Sequence, residues 1–127
     1  LNVDRYVISG NYIDNKANGG VDHLGTSGTF YGIRIGAGTS NTSTIENFSS
    51  GIIRNNTITW NHAPTASSTI THGGLAIYAG GRNSTISVTG NSIVNSNFGA
   101  NSAGTFYGVY ALPFARNLIV SDNSIKN

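Results

Sequence analysis

Few side chains in this chain could do acid-base chemistry. Its acids are Asp4, Asp14, Asp22, Glu46 and Asp122, its imidazoles His23, His62 and His72, and its cations Arg5, Lys16, Arg34, Arg54, Arg82, Arg116 and Lys126. There is no cysteine, so thiolate nucleophiles, disulfides and cysteine-ligated zinc are excluded. Two carboxyls about 5 to 10 Å apart would serve glycoside hydrolysis by either stereochemical route. A His or Asp base beside an arginine that neutralises a substrate carboxylate would serve β-elimination. The separation of His62 from His72 is not a recognised metal spacing, so no zinc site is inferred. Binding calls on other groups. Sugars stack their C–H faces on aromatic rings and bond their hydroxyls to amides, hydroxyls and guanidinium, and this chain has 6 tyrosines in a background of Asn, Ser and Thr.

The elements that must position these groups are strands. Asn, Gly, Ser and Thr make up almost half of the 127 residues, and these types disfavour long helices. Ile and Val far outnumber Leu, which is a strand bias. Charged residues are only 9%, unlike the charge-rich composition of a disordered chain. The seven cations stand singly, so the net charge of +2 carries no clustered footprint for nucleic acid. No run approaches eighteen apolar residues, so no membrane-spanning helix is expected.

An internal repeat organises the chain. Four segments share one pattern: Val7-Ile-Ser-Gly-Asn-Tyr-Ile13, Ile52-Ile-Arg-Asn-Asn-Thr-Ile58, Ser87-Val-Thr-Gly-Asn-Ser-Ile93 and Ile119-Val-Ser-Asp-Asn-Ser-Ile125. Aligned, they place Asn at 11, 56, 91 and 123, with Ile or Val three residues before and Ile two after. The preceding residue is Gly10, Asn55, Gly90 or Asp122, each a type that tolerates left-handed backbone. Each copy therefore reads as strand, tight bend, strand.

Between the copies lies a second set: Tyr31-Gly-Ile-Arg-Ile35, Gly73-Gly-Leu-Ala-Ile77 and Tyr107-Gly-Val-Tyr-Ala111. The asparagine spacing shrinks along the chain while the strand patterns persist, so one loop per repeat varies. Three short strands per repeat, with Asn at one bend, can close as one turn of a parallel β-solenoid whose strands stack about 4.8 Å apart. The asparagines are then expected to form a side-chain ladder along the axis, because an amide is short and both donates and accepts. Alternation turns Ile33, Ile35, Leu75, Ile77, Val109 and Ala111 inward. Arg34, Ala76 and Tyr110, and next to them Gly36, Tyr78 and Leu112, then face outward.

The bend copies and the Gly-Ile-x-Ile strands resemble right-handed parallel β-helix proteins of the pectate-lyase-like superfamily, which includes polysaccharide lyases, glycoside hydrolases, epimerases and phage tailspikes. The resemblance spans nearly the whole chain, from Val3 to Asn127. It implies an all-β, right-handed single-stranded parallel β-helix of three to four coils, one domain over residues 1–127. In such a coil the Gly-Ile-x-Ile strand is the first sheet, and the long segments Lys16 to Phe30, His62 to His72 and Ser96 to Phe106 rim the family's usual substrate groove. The resemblance thus implies polysaccharide or glycan as partner and an extracellular, cell-surface or virion location. Arg34, Tyr78, Tyr110, Tyr31 and Tyr107 are the expected substrate-binding residues. The alternatives are a polysaccharide lyase or glycoside hydrolase with acids partly outside this sequence, and a structural solenoid or adhesin stalk.

For catalysis the candidates are Asp22, His23 and His72, converging with Arg34 across adjacent coils. No acid falls on the outward first-sheet positions, and neither the family's aspartate cluster nor its acidic calcium-ligand set is complete. No cofactor or calcium site is therefore assigned. Solenoid ends expose unpaired strand edges and normally carry caps. None is visible here, so the chain is expected to be a segment of a longer β-helix, with its ends covered by further coils of the same chain or by a homo-oligomer such as a trimer.

Overall fold

The computed structural model describes residues 5–15, 27–35, 50–60, 69–77, 85–95, 105–111 and 117–127. Every element among them is a strand: β1 (Arg5–Ser9), β2 (Tyr12–Asn15), β3 (Ser27–Ile35), β4 (Ser50–Arg54), β5 (Thr57–Trp60), β6 (Thr69–Ile77), β7 (Thr85–Thr89), β8 (Ser92–Asn95), β9 (Thr105–Ala111), β10 (Asn117–Ser121) and β11 (Ser124–Lys126). They form three sheets with strand orders β1-β4-β7-β10 (sheet A), β2-β5-β8-β11 (sheet B) and β3-β6-β9 (sheet C). All pairings are parallel, and each strand pairs with its counterpart in the next repeat. The architecture is that expected of a parallel β-solenoid: successive trios of strands, one per sheet, stacked in register.

Register turns the repeat into columns. In sheet A, Ile8, Ile53, Val88 and Val120 align; in sheet B, Ile13, Ile58, Ile93 and Ile125 align. Identical β-branched side chains stacked at strand spacing fill a pleated surface without changing rotamer, which is why Ile dominates these positions. The buried core draws on all three sheets, with Ile53, Ile86 and Val88 from A, Ile58, Trp60 and Ile93 from B, and Ile33, Leu75 and Ile77 from C. Sheets B and C meet closely. A Cβ added at Gly32, Gly74 or Gly108 would come within 2.6, 2.5 and 2.5 Å of the side chains of Ile58, Ile93 and Ile125 respectively. Only hydrogen fits there.

The bend between sheets A and B behaves as its residue types require. Gly10, Asn55, Gly90 and Asp122 all have positive φ, at 68°, 54°, 65° and 57°. These are the types that occupy the left-handed region at least cost. The next residue in each bend is the ladder asparagine. Oδ1 of Asn56 accepts from both the backbone N–H and the side-chain amide of Asn11, at 3.0 and 2.9 Å. Asn91 Oδ1 accepts the same pair from Asn56 at 3.0 Å each, and Asn123 Oδ1 accepts from Asn91 at 2.9 and 2.8 Å. Each side-chain amide also donates to a main-chain carbonyl of the preceding layer: Asn56 to Ile8, Asn91 to Ile53 and Asn123 to Val88. Asn56 and Asn91 are buried and well bonded, as a polar group inside a core must be.

Two features depart from the simple repeat. Four residues after each ladder asparagine lie Asn15, Trp60, Asn95 and Asn127; the first three align in sheet B, Trp60 and Asn95 are buried, and the Asn95 amide donates to Oδ1 of Asn127, just past the end of β11, at 3.2 Å. In sheet A the inward column runs Tyr6, Gly51, Ile86, Leu118. The Tyr6 ring lies over Gly51, where a Cβ would collide with it. Burial pushes the Tyr6 phenol up to about 12.

Candidate functional site

Sheet C carries the residues expected to bind. Its strands are longer than the sequence pattern implied: β3, β6 and β9 begin at Ser27, Thr69 and Thr105, so the last residues of the three expected rim loops belong to the sheet. A run such as Thr29-Phe30-Tyr31 alternates hydroxyl, apolar and aromatic groups and extends readily as strand. His72 therefore sits within β6, in register with Phe30 and Phe106, and not on a loop.

Two aligned rows form the center of the outer face. One is Tyr31, Gly73, Tyr107; the other is Arg34, Ala76, Tyr110. Strict alternation cannot place both outside, because Tyr31 and Ile33 have the same parity. The glycine between them resolves this. Gly32, Gly74 and Gly108 aim toward the core isoleucines of sheet B, and Ile33 and Leu75 beside them are buried as well. The alternation thus slips by one residue at the glycine, as at a bulge, and the tyrosine before it emerges on the same side as Arg34.

The rings meet. Tyr31 and Tyr110 stack with centroids 6.2 Å apart and planes 17° from parallel, and Tyr107 tilts at 52° against Tyr110 with centroids 5.1 Å apart. These separations suit offset and tilted aromatic pairs. Beneath them the middle strand is floored by small residues. Ala76 is buried, and a Cβ at Gly73 would run into the Tyr107 carbonyl. Arg34 is exposed, Tyr31 and Tyr110 are half-buried, and Tyr107 keeps 37% of its surface open.

A third row was not anticipated. Thr29, Thr71 and Thr105 align two residues before the Tyr31 row, on the same face. Its signal is plain in retrospect, since Thr stands two residues before Tyr31, Gly73 and Tyr107. The face thus offers hydroxyls, then aromatic rings, then a guanidinium, in register over three layers.

The expected inward set holds for Ile33, Leu75 and Ile77, which are buried, and for Ile35 and Val109, which pack against the core. Ala111 is exposed, because β9 is the last strand of sheet C. Of the catalytic candidates, Arg34 lies on this face, while Asp22 and His23 fall outside the described residues, as do Tyr78, Gly36, Leu112 and His62. The acids that are described lie elsewhere. Asp14 is on the outer side of sheet B, where the Tyr12 hydroxyl donates to its Oδ2 at 3.4 Å, and Asp122 occupies the fourth bend. Among the described residues no group of three or more His, Asp or Glu gathers as a metal cluster. Comparison with protein-family models, with curated proteins and with solved structures finds no match.

Proposed function

We propose that this chain is a carbohydrate-recognising β-solenoid segment of an extracellular or virion protein, wound as a right-handed single-stranded parallel β-helix of the pectate-lyase-like, tailspike-like kind. The observation that carries the reading is the outer face of sheet C, which brings Tyr31, Tyr107, Tyr110 and Arg34 together beside the Thr29, Thr71, Thr105 row. A polysaccharide lying along the stack would meet threonine hydroxyls repeated at strand spacing of about 4.8 Å, tyrosine rings on the two outer strands of the sheet, and one cation. Arg34 adds a charge-assisted bond for an acidic sugar.

A glycan array probed with the intact chain, followed by isothermal titration of the strongest ligand, tests this. Tyr110→Ala removes the ring that contacts both other tyrosines and is expected to weaken binding about tenfold, the scale of losing one stacking contact of about 1.4 kcal/mol. An array on which no saccharide is retained overturns the proposal.

One observation favours a second reading, a structural stalk. The Tyr31 and Tyr110 rings stack on each other across the middle strand, so part of their area already serves to cover Ala76. On that reading Tyr110→Ala and Arg34→Ala alter stability or solubility and leave glycan retention unchanged.

A further inference from the structure

In a regular strand, residues three apart face opposite ways. Tyr107 and Tyr110 are three apart in β9, yet their rings meet, with centroids 5.1 Å apart and planes tilted by 52°. The residues between them explain this. Gly108 faces the core, where a Cβ would come within 2.5 Å of the Ile125 side chain, and Val109 beside it packs against the core. Two consecutive inward residues slip the alternation by one, so the tyrosines on either side of them share the outer face. Gly32 and Gly74 hold the same place in β3 and β6, but there the flanking pairs are Tyr31 with Arg34 and Gly73 with Ala76. Of these three strands, β9 alone carries two phenols across the slip.

Two phenols held together at the surface suit oxidative coupling. A one-electron oxidant takes an electron and the phenolic proton from each, leaving phenoxyl radicals whose unpaired spin is shared with the Cε atoms beside the oxygen. One Cε from each ring joins in a carbon–carbon bond. Each of those carbons then releases its hydrogen as a proton and each oxygen takes one up, which restores two phenols in one biaryl. The two electrons and two protons removed pass to a peroxide: two tyrosines and one hydrogen peroxide give one dityrosine and two waters. Holding the rings side by side replaces a bimolecular encounter with an intramolecular one. A biaryl bond joins ring edges and leaves the planes twisted, as they are in this pair. The Tyr31 and Tyr110 rings are farther apart, at 6.2 Å, and within 17° of parallel, an arrangement that turns face toward face. Tyr107 is also open to an oxidant, with 37% of its surface exposed.

We propose that Tyr107 and Tyr110 form an oxidative cross-linking site, at which a one-electron oxidant couples the two rings through their Cε atoms into a dityrosine within β9. The bond closes a ring around Gly108 and Val109 and holds the slip in place. The site belongs to the folded chain, because the contact with Ile125 from another sheet is what requires glycine at 108. This inference rests on ring geometry and is independent of the glycan reading.

The test is brief illumination of the intact, dilute chain with tris(bipyridine)ruthenium and persulfate, a one-electron oxidant that works in buffer and in urea alike, followed by trypsin and mass spectrometry. Cleavage after Arg82 and Arg116 leaves Tyr107 and Tyr110, and no other tyrosine, in the peptide 83–116, while Tyr31 lies in 17–34 and Tyr12 in 6–16. The expected product is peptide 83–116 lighter by two hydrogen atoms and fluorescent as dityrosine. Tyr107→Phe keeps the ring and removes the phenol, so the product is lost; Tyr31→Phe retains it. The same oxidation of the urea-unfolded chain is expected to lose most of it. A cross-link joining 17–34 to 83–116, coupling between chains with peptide 83–116 unchanged, or an undiminished yield in urea overturns the proposal.

Discussion

At the scale of single residues, side chains that break the repeat are as informative as those that keep it. Tyr6 stands in the column that carries Ile86 and Leu118 in later layers, and its ring occupies the space that Gly51 leaves between. Burial disfavours the phenolate, so the folded chain holds this proton up to about 12 while the unfolded chain releases it at the ordinary 10.0. Below pH 10 both states are protonated and the difference is silent. Between pH 10 and 12 the unfolded state loses a proton that the native state keeps, so stability falls as pH rises. Urea midpoints measured at pH 9 and pH 11 are expected to show that fall in the native chain and a smaller one in Tyr6→Phe; equal falls would assign the alkaline loss to other groups. The bend residues were legible from type alone, because left-handed backbone selects Gly, Asn and Asp. Tyr31 and Tyr107 were legible as candidates but not in their placement. The glycine that turns them outward does so by meeting Ile58 and Ile125 from another sheet, a contact that no local alternation rule contains.

At the scale of elements, the asparagine ladder locks sheets A and B into one register. A parallel strand slipped by one residue would turn its core column to solvent, and the ladder adds a polar penalty to the apolar one. Asn91 Oδ1 is the acceptor for both donors of Asn56, and its own amide bonds Ile53 and Asn123. Asn91→Ala leaves several buried polar groups unbonded and is expected to cost about 3 kcal/mol or more. Asn11→Ala at the exposed end removes one donor from an acceptor that keeps another, and is expected to cost about 1 kcal/mol or less. Chemical denaturation followed by the fluorescence of the buried Trp60 measures both; equal costs would mean that the ladder acts by shape alone. The ladder was readable because four copies share one local pattern around the asparagine. The second column, Asn15, Trp60 and Asn95, with Asn127 bonded to Asn95 beyond the end of β11, was equally present in the sequence, yet Trp60 hid it: tryptophan does not look like a member of an asparagine series until register places it there.

At the scale of the whole molecule, stability in a stack of layers is a sum of neighbour contacts, so inner layers have two neighbours and outer layers one. Strands β4 and β7 pair on both sides and carry Ile53, Ile86 and Val88 fully inside, whereas β10 and β11 end their sheets with Val120 and Ile125 half open. Amide hydrogen exchange at low protein concentration is therefore expected to be slowest in β4, β5, β6, β7 and β8, which pair on both sides, and fastest in β11, which has three residues and one partner strand. Uniform protection across all strands at low concentration would mean that the layers open together and that neighbour contacts do not set the gradient.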